Sequence, residues 1–180
     1  AHGMRTLKYA AVNGLMNGVG YRRFAPNDQL TRGMFVTILG QIAQIDKSDY
    51  PDTSFTDVPA GAWYAAPVEW AAKNGIVSGV GDGCFAPNAP ITREQIAAII
   101  VRYVQSEGIT LPTIANPPIL QDMDAVSYWA HEGVELMRTT GLIAGDEKGN
   151  FNPRSLSTRA QAATIFMRLR EGILHAETSS

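Results

Sequence analysis

Residues 74–95 run Asn74-Gly75-Ile76-Val77-Ser78-Gly79, then Asp82-Gly83, then Phe85-Ala86-Pro87, then Ile91-Thr92-Arg93-Glu94-Gln95. That order predicts the end of one helix, a tight turn and the start of a second helix. Gly75 stands where a helix closes on a left-handed residue, and apolar Ile76 follows to pack back on it. Asp82-Gly83 is turn chemistry. Thr92 reads as an N-cap, and Gln95 at the third helical position completes a capping box. Arg93 then falls on the first helical position. The partial positive charge of a helix start disfavours a cation there by roughly 0.3–1 kcal/mol.

The stretch is written three times. Gly14, Gly75 and Gly141 stand 61 and 66 residues apart. The same offsets carry Gly18 to Gly79 and Gly145, Phe24 to Phe85 and Phe151, and Pro26 to Pro87 and Pro153. They also carry Thr31-Arg32 to Thr92-Arg93 and Thr158-Arg159. Upstream, Trp63 maps to Trp129 and Val68 to Val134, while the first copy has His2 and Leu7 at these places. Repetition at a fixed offset outranks any local signal. It divides the chain into repeat one (1–45, truncated at its start), linker and repeat two (46–107), linker and repeat three (108–173), and a tail (174–180).

Each unit reads helix, turn, helix. Val68, Ala71 and Ala72 form the apolar stripe of a first helix spanning about 62–74. Ile96, Ile99, Ile100, Tyr103 and Val104 form that of a second helix starting after Thr92. Phe35, Ile38, Leu39 and Ile42 repeat the second stripe in copy one, and Ile165, Phe166 and Leu169 in copy three. Thr158 with Gln161 repeats the capping box, whereas Thr31 is followed by Met34, which leaves half a box. Gly33 weakens its helix start. Prolines mark the segments 46–60 and 108–118 as extended linkers. The expectation is an all-α fold of six main helices without a substantial sheet. One helix pair cannot cover its own apolar face; three pairs can close about a common axis as a pseudo-threefold body.

Composition narrows the function. At 180 residues and 45% apolar content the chain can bury a core. A net charge of −2 supplies no basic field for nucleic acid. No run of about 18 apolar residues predicts membrane insertion, and no charged-then-apolar leader is written. Cys84 is the single cysteine, which excludes an internal disulfide and a multi-cysteine metal site. His2, His131 and His175 lack ligand spacing. Asp146, Lys148 and Asn150 hint at a calcium loop, but Phe151 and Ser157 stand where its glycine and glutamate belong. No nucleophile elbow, phosphate loop or dinucleotide fingerprint is present. The expectation is no enzyme, no metal and no cofactor.

Arg32, Arg93 and Arg159 carry the remaining chemistry. A guanidinium beside unpaired helix N–H groups would make an anion site, with a flat fork suited to a carboxylate. The same arginines could instead pair with acids of a neighbouring unit and hold the units together. Gly18, Gly79 and Gly145 serve either turn geometry or a bare backbone for a ligand. Trp63 and Trp129 serve either as core or as the wall of a sugar site. Asp82 reads as a turn aspartate at a position occupied by Tyr21 and Lys148 in the other copies. Asp57 and Asp122 align ahead of the first helices and read as loop caps.

Taken together, Phe55-Thr56-Asp57-Val58, Trp63-Tyr64, Gly75-Ile76-Val77-Ser78-Gly79, Asp82-Gly83, Phe85-Ala86-Pro87 and Ile91-Thr92-Arg93-Glu94 resemble the S-layer homology family, in three tandem copies over nearly the whole chain. The resemblance implies a three-pronged spindle around a central three-helix bundle. It implies non-covalent anchoring of a surface protein, fused or associated, to the bacterial cell wall, and hence an extracellular, S-layer location. The implied partner is a pyruvylated secondary cell-wall polysaccharide held in grooves between prongs. The family's Thr-Arg-Ala-Glu motif places the carboxylate-binding arginine on Arg32, Arg93 and Arg159. Here the motif reads Thr31-Arg32-Gly33-Met34, Thr92-Arg93-Glu94-Gln95 and Thr158-Arg159-Ala160-Gln161, with no glutamate in fourth place. The expected ligand residues are Arg32, Arg93, Arg159, Gly18, Gly79, Gly145, Trp63, Trp129 and Asp82, in a monomeric pseudo-trimer. The site at Gly79 and Arg93 is expected to be the most complete and that at Gly18 and Arg32 the most eroded. A structural module for self-assembly or protein docking is the alternative.

Overall fold

The computed structural model describes residues 27–178. Five α-helices stand among these residues: α1 (Arg32–Ile42), α2 (Ala65–Lys73), α3 (Arg93–Ser106), α4 (His131–Thr140) and α5 (Arg159–Thr178). Among the described residues no strand is longer than an isolated bridge. Helices α1, α3 and α5 are the second helices of the three repeats, and α2 and α4 are the first helices of repeats two and three. The first helix expected for repeat one falls outside the described residues, as do Gly18, His2 and Phe24.

Helix starts follow the caps. Thr92 Oγ1 accepts from Gln95 N–H at 3.3 Å, and Gln95 Oε1 accepts from Thr92 N–H at 3.0 Å. Thr158 and Gln161 exchange the same pair at 3.2 and 3.1 Å. Thr31 Oγ1 accepts from Met34 N–H at 3.2 Å and receives nothing in return, as a methionine requires. Each cap is worth about 1 kcal/mol. Gly75 (φ 68°) and Gly141 (φ 71°) close the first helices in the left-handed region.

Three cyclic sets of hydrogen bonds and bridges join the repeats. Leu30, Ile91 and Ser157 occupy equivalent positions. Ile91 N–H donates to Leu30 O (2.9 Å), Ser157 N–H to Ile91 O (3.1 Å) and Leu30 N–H to Ser157 O (2.9 Å), which closes the ring. The bridges Thr31–Pro90, Thr92–Leu156 and Thr158–Gln29 run in the same order. Each helix start also donates to the loop of the next repeat. Arg32 N–H meets Ala89 O at 2.9 Å, Arg93 N–H meets Ser155 O at 3.0 Å and Arg159 N–H meets Asp28 O at 2.9 Å.

Around this ring lies one core that includes Phe35, Ile38, Phe85, Ile96, Ile100, Phe151 and Phe166. Phe35 of α1 and Phe166 of α5 meet with ring centroids 4.8 Å apart. Helix α4 lies so close to α3 that a Cβ on Gly133 would collide with the Ala97 backbone. Gly33 has a packing reason as well: its N–H donates to Pro87 O at 2.8 Å, and an added Cβ would stand 2.9 Å from that oxygen.

Candidate functional site

The turns after the first helices of repeats two and three each bring a phenylalanine and its successor into a strained corner. Ala86 (φ 57°) and Asn152 (φ 58°) are equivalent and both left-handed, a region that costs a non-glycine residue roughly 1–2 kcal/mol. A carboxylate holds each corner. Asp57 accepts from Phe85 N–H and Ala86 N–H, both at 2.8 Å. Asp122 accepts from Phe151 N–H at 2.6 Å and Asn152 N–H at 2.8 Å. Successive N–H groups of this kind form a concave anion cradle, filled here by the protein's own acid. Burial alone would push the Asp57 carboxyl up, but the two N–H donors and the charge of Arg32 outweigh it and hold it below the usual aspartate value.

The arginines close on these corners from the preceding repeat. Arg32 Nε donates to Phe85 O at 3.0 Å, and its guanidinium carbon sits 4.7 Å from the Phe85 ring centre. Arg93 Nε donates to Phe151 O at 2.6 Å, with the Phe151 ring centre at 5.0 Å. Burial lowers both guanidinium pKa values, while Asp57 opposes the shift at Arg32, and Asp122 and Asp146 oppose it at Arg93. Both remain charged, because a guanidinium does not give up its proton inside a protein. Arg32 is 6% exposed and Arg159 only 1%, whereas Arg93 is partly open. The partner that the repeat offsets assign to Arg159, Phe24, lies outside the described residues.

Two expectations are corrected here. At the starts of α1 and α3 the helix N–H groups are not available to an external anion. Those of Arg32 and Gly33 go to Ala89 and Pro87, those of Arg93 and Glu94 go to Ser155 and Pro153, and the third goes to the threonine cap. Nor does Arg93 share a site with Gly79. Cyclic closure carries Arg32 and Arg93 into the following repeat, so Arg32 is the arginine that meets the Gly79 turn.

That meeting forms a groove of about 470 Å³, lined by Arg32 from repeat one, Gly79 and Gln95 from repeat two and Trp129 from repeat three, with Arg102 of α3 beside them. Gly79 (φ 83°) is required twice: its backbone is left-handed, and a Cβ would stand 2.6 Å from Cys84 O. Trp129 is 49% exposed on the short 3-10 turn Tyr128–Ala130. Ser127 precedes that turn and gives its N–H and hydroxyl to the buried Glu94 carboxylate, both at 2.9 Å, which fixes Trp129 against repeat two.

The other expected residues do not join this groove. Asp82 is an exposed left-handed corner (φ 53°) of the Gly81–Cys84 turn. Trp63 packs edge-on against Tyr64 at 5.0 Å, and Gly145 sits against the Gly149 backbone. By repeat order Trp63 belongs with Arg159 and Gly18, and Gly145 with Arg93 and His2; Gly18 and His2 lie outside the described residues. Sequence reading missed Arg102 and the Glu94–Ser127 tie. The signal for Arg102 was available, since the offset of 66 residues carries it to Arg168.

Among the described residues no cluster of three or more His, Cys, Asp or Glu could hold a metal, and no helix is long and apolar enough to cross a membrane. The model of the S-layer homology domain matches residues 1–33, 54–97 and 121–163. An endoglucanase of Bacillus sp. (strain KSM-635) is 33% identical over 160 residues, covering 86% of this chain and 16% of that protein. The surface-layer 125 kDa protein of Lysinibacillus sphaericus is 31% identical over 163 residues, 89% of this chain and 13% of that one. An amylopullulanase of Thermoanaerobacterium thermosulfurigenes is 31% identical over 157 residues, 87% of this chain and 8% of that enzyme. The chain therefore spans less than a fifth of the length of each of these relatives.

Proposed function

The chain belongs to the S-layer homology domain family, whose modules hold proteins at the bacterial cell surface, and on that premise we propose that it anchors a larger protein by binding an anionic, pyruvylated wall polysaccharide between its repeats. One observation carries this reading: Arg32, Gly79 and Trp129, from three different repeats, line a single groove. The Arg32 Nε is committed to Phe85 O, which fixes the guanidinium plane. Its outer edge makes no hydrogen bond among the described residues and suits the paired oxygens of a carboxylate. Gly79 offers bare backbone, and the indole of Trp129 offers an apolar face to the C–H face of a sugar ring. The shared region in a surface-layer protein and in polysaccharide-degrading enzymes fits an attachment module rather than a catalytic one. Weak grooves joined in one rigid body multiply into useful avidity on a repeating polymer.

Titration calorimetry with purified pyruvylated wall fragments tests the reading, with fragments stripped of pyruvate by mild acid as control. Trp129→Ala removes a half-exposed side chain and should weaken binding about tenfold or more while leaving the unfolding midpoint in place. Equal binding of native and stripped fragments would sink the carboxylate role. Association that depends on protein concentration and ignores the glycan would point to a self-assembly module.

A further inference from the structure

Resting on the glycan reading above, we infer that Arg102 is a second anion-recognising residue of this groove, and that the segment bound there carries two negative charges rather than one. Arg102 lies on α3 and lines the same cavity as Arg32, Gly79 and Trp129. It makes no hydrogen bond or ion pair among the described residues. No carboxylate stands among the residues lining the groove. The two arginines are also not equivalent. Arg32 spends its Nε on Phe85 O and faces the charge of Asp57. Arg102 has neither restraint. Glu132, the acid that α4 brings up to α3, is occupied by Gln105 Nε2 at 2.6 Å.

A concave surface with two cations and no carboxylate in its lining focuses a positive potential, and an anion entering it relieves the repulsion between them. One carboxylate suffices for Arg32. The unspent charge of Arg102 calls for a second acidic group elsewhere on the same glycan segment. The other repeats lack this feature at the equivalent position. Arg168 in repeat three donates its Nη1 to Leu142 O at 3.3 Å, and repeat one has Gln41. The second charge therefore gives this groove a preference of its own.

Two synthetic probes decide the matter: the methyl glycoside of a hexose with one 4,6-linked pyruvate ketal, and a disaccharide joining that sugar to a hexuronic acid. The wild-type chain should bind the doubly charged probe about tenfold more tightly, the scale of one charge-assisted hydrogen bond. Arg102→Gln should erase that preference, weakening the doubly charged probe about tenfold more than the singly charged one, and Arg102→Lys should keep most of it. Because Arg102 holds no partner, the unfolding midpoint of both variants should match wild type. A preference that survives Arg102→Gln, or none in the wild type, overturns the inference alone, provided that the singly charged probe binds and Trp129→Ala weakens that binding. If neither probe binds the wild-type chain, the glycan reading falls and this inference falls with it.

Discussion

Asp57 shows how much a single acid organises. It takes the N–H groups of Phe85 and Ala86, holds Ala86 in a left-handed corner, and so presents the Phe85 carbonyl that receives Arg32. Its pKa is lowered on folding, so the sign is fixed: its contribution is present above the unfolded-state value of about 4 and is lost as pH falls through the lower folded-state value. Asp57→Asn should cost about 2 kcal/mol at neutral pH, since one oxygen gives way to an amide that cannot accept. The variant's unfolding midpoint should also fall less steeply than that of wild type below about pH 4. Thermal melts across pH 2–7 check both, and parallel acid limbs would contradict the role. Asp57 was legible in the sequence as a loop cap because Asp122 stands ahead of the next first helix in the same way, 65 residues on and one short of the repeat offset of 66. Its reach to Arg32 was not, because Arg32 stands on another repeat and no local pattern joins them.

At the scale of elements, the α3–α4 contact depends on a missing side chain. Gly133 occupies the position of Pro67 in repeat two, and its absent Cβ lets α4 approach the Ala97 backbone. Gly133→Ala should destabilise by about 1–3 kcal/mol through overpacking, although alanine is the better helix former by about 1 kcal/mol. Chemical denaturation would measure the difference. A stabilised variant would show that the two helices can move apart freely. Helix propensity alone predicts the opposite sign, so the experiment separates local preference from tertiary contact. The caps behave differently. Thr92 and Gln95, and Thr158 and Gln161, form the boxes that their spacing foretold, because a cap involves only residues within one turn.

For the whole molecule, the ring of Leu30, Ile91 and Ser157 joins the three repeats in a closed cycle rather than an open stack. An open array can fray from one end, whereas a closed cycle must break as a unit. The N–H groups of these three residues should exchange with solvent together, at the rate of global unfolding, in native-state hydrogen exchange. Separate rates, one repeat opening before the others, would contradict cyclic coupling. Closure also builds the groove, because it sets the Arg32 end of α1 against the Gly79 turn and brings Trp129 to the far wall.

The sequence by itself determined the helical class, the three units, the threonine caps that start α1, α3 and α5, the glycines that close α2 and α4, and the residue types at the candidate sites. These depend on interactions within a few residues, where a threonine cap, a left-handed glycine or an apolar stripe acts without regard to the rest of the chain. Only the tertiary structure decided which arginine meets which glycine. It set Arg32 rather than Arg93 beside Gly79, occupied the helix-start N–H groups with carbonyls of the next repeat, and added Arg102 to the groove. The physical reason is ring closure: every repeat finishes its neighbour's polar groups, so each site is made of residues from different repeats.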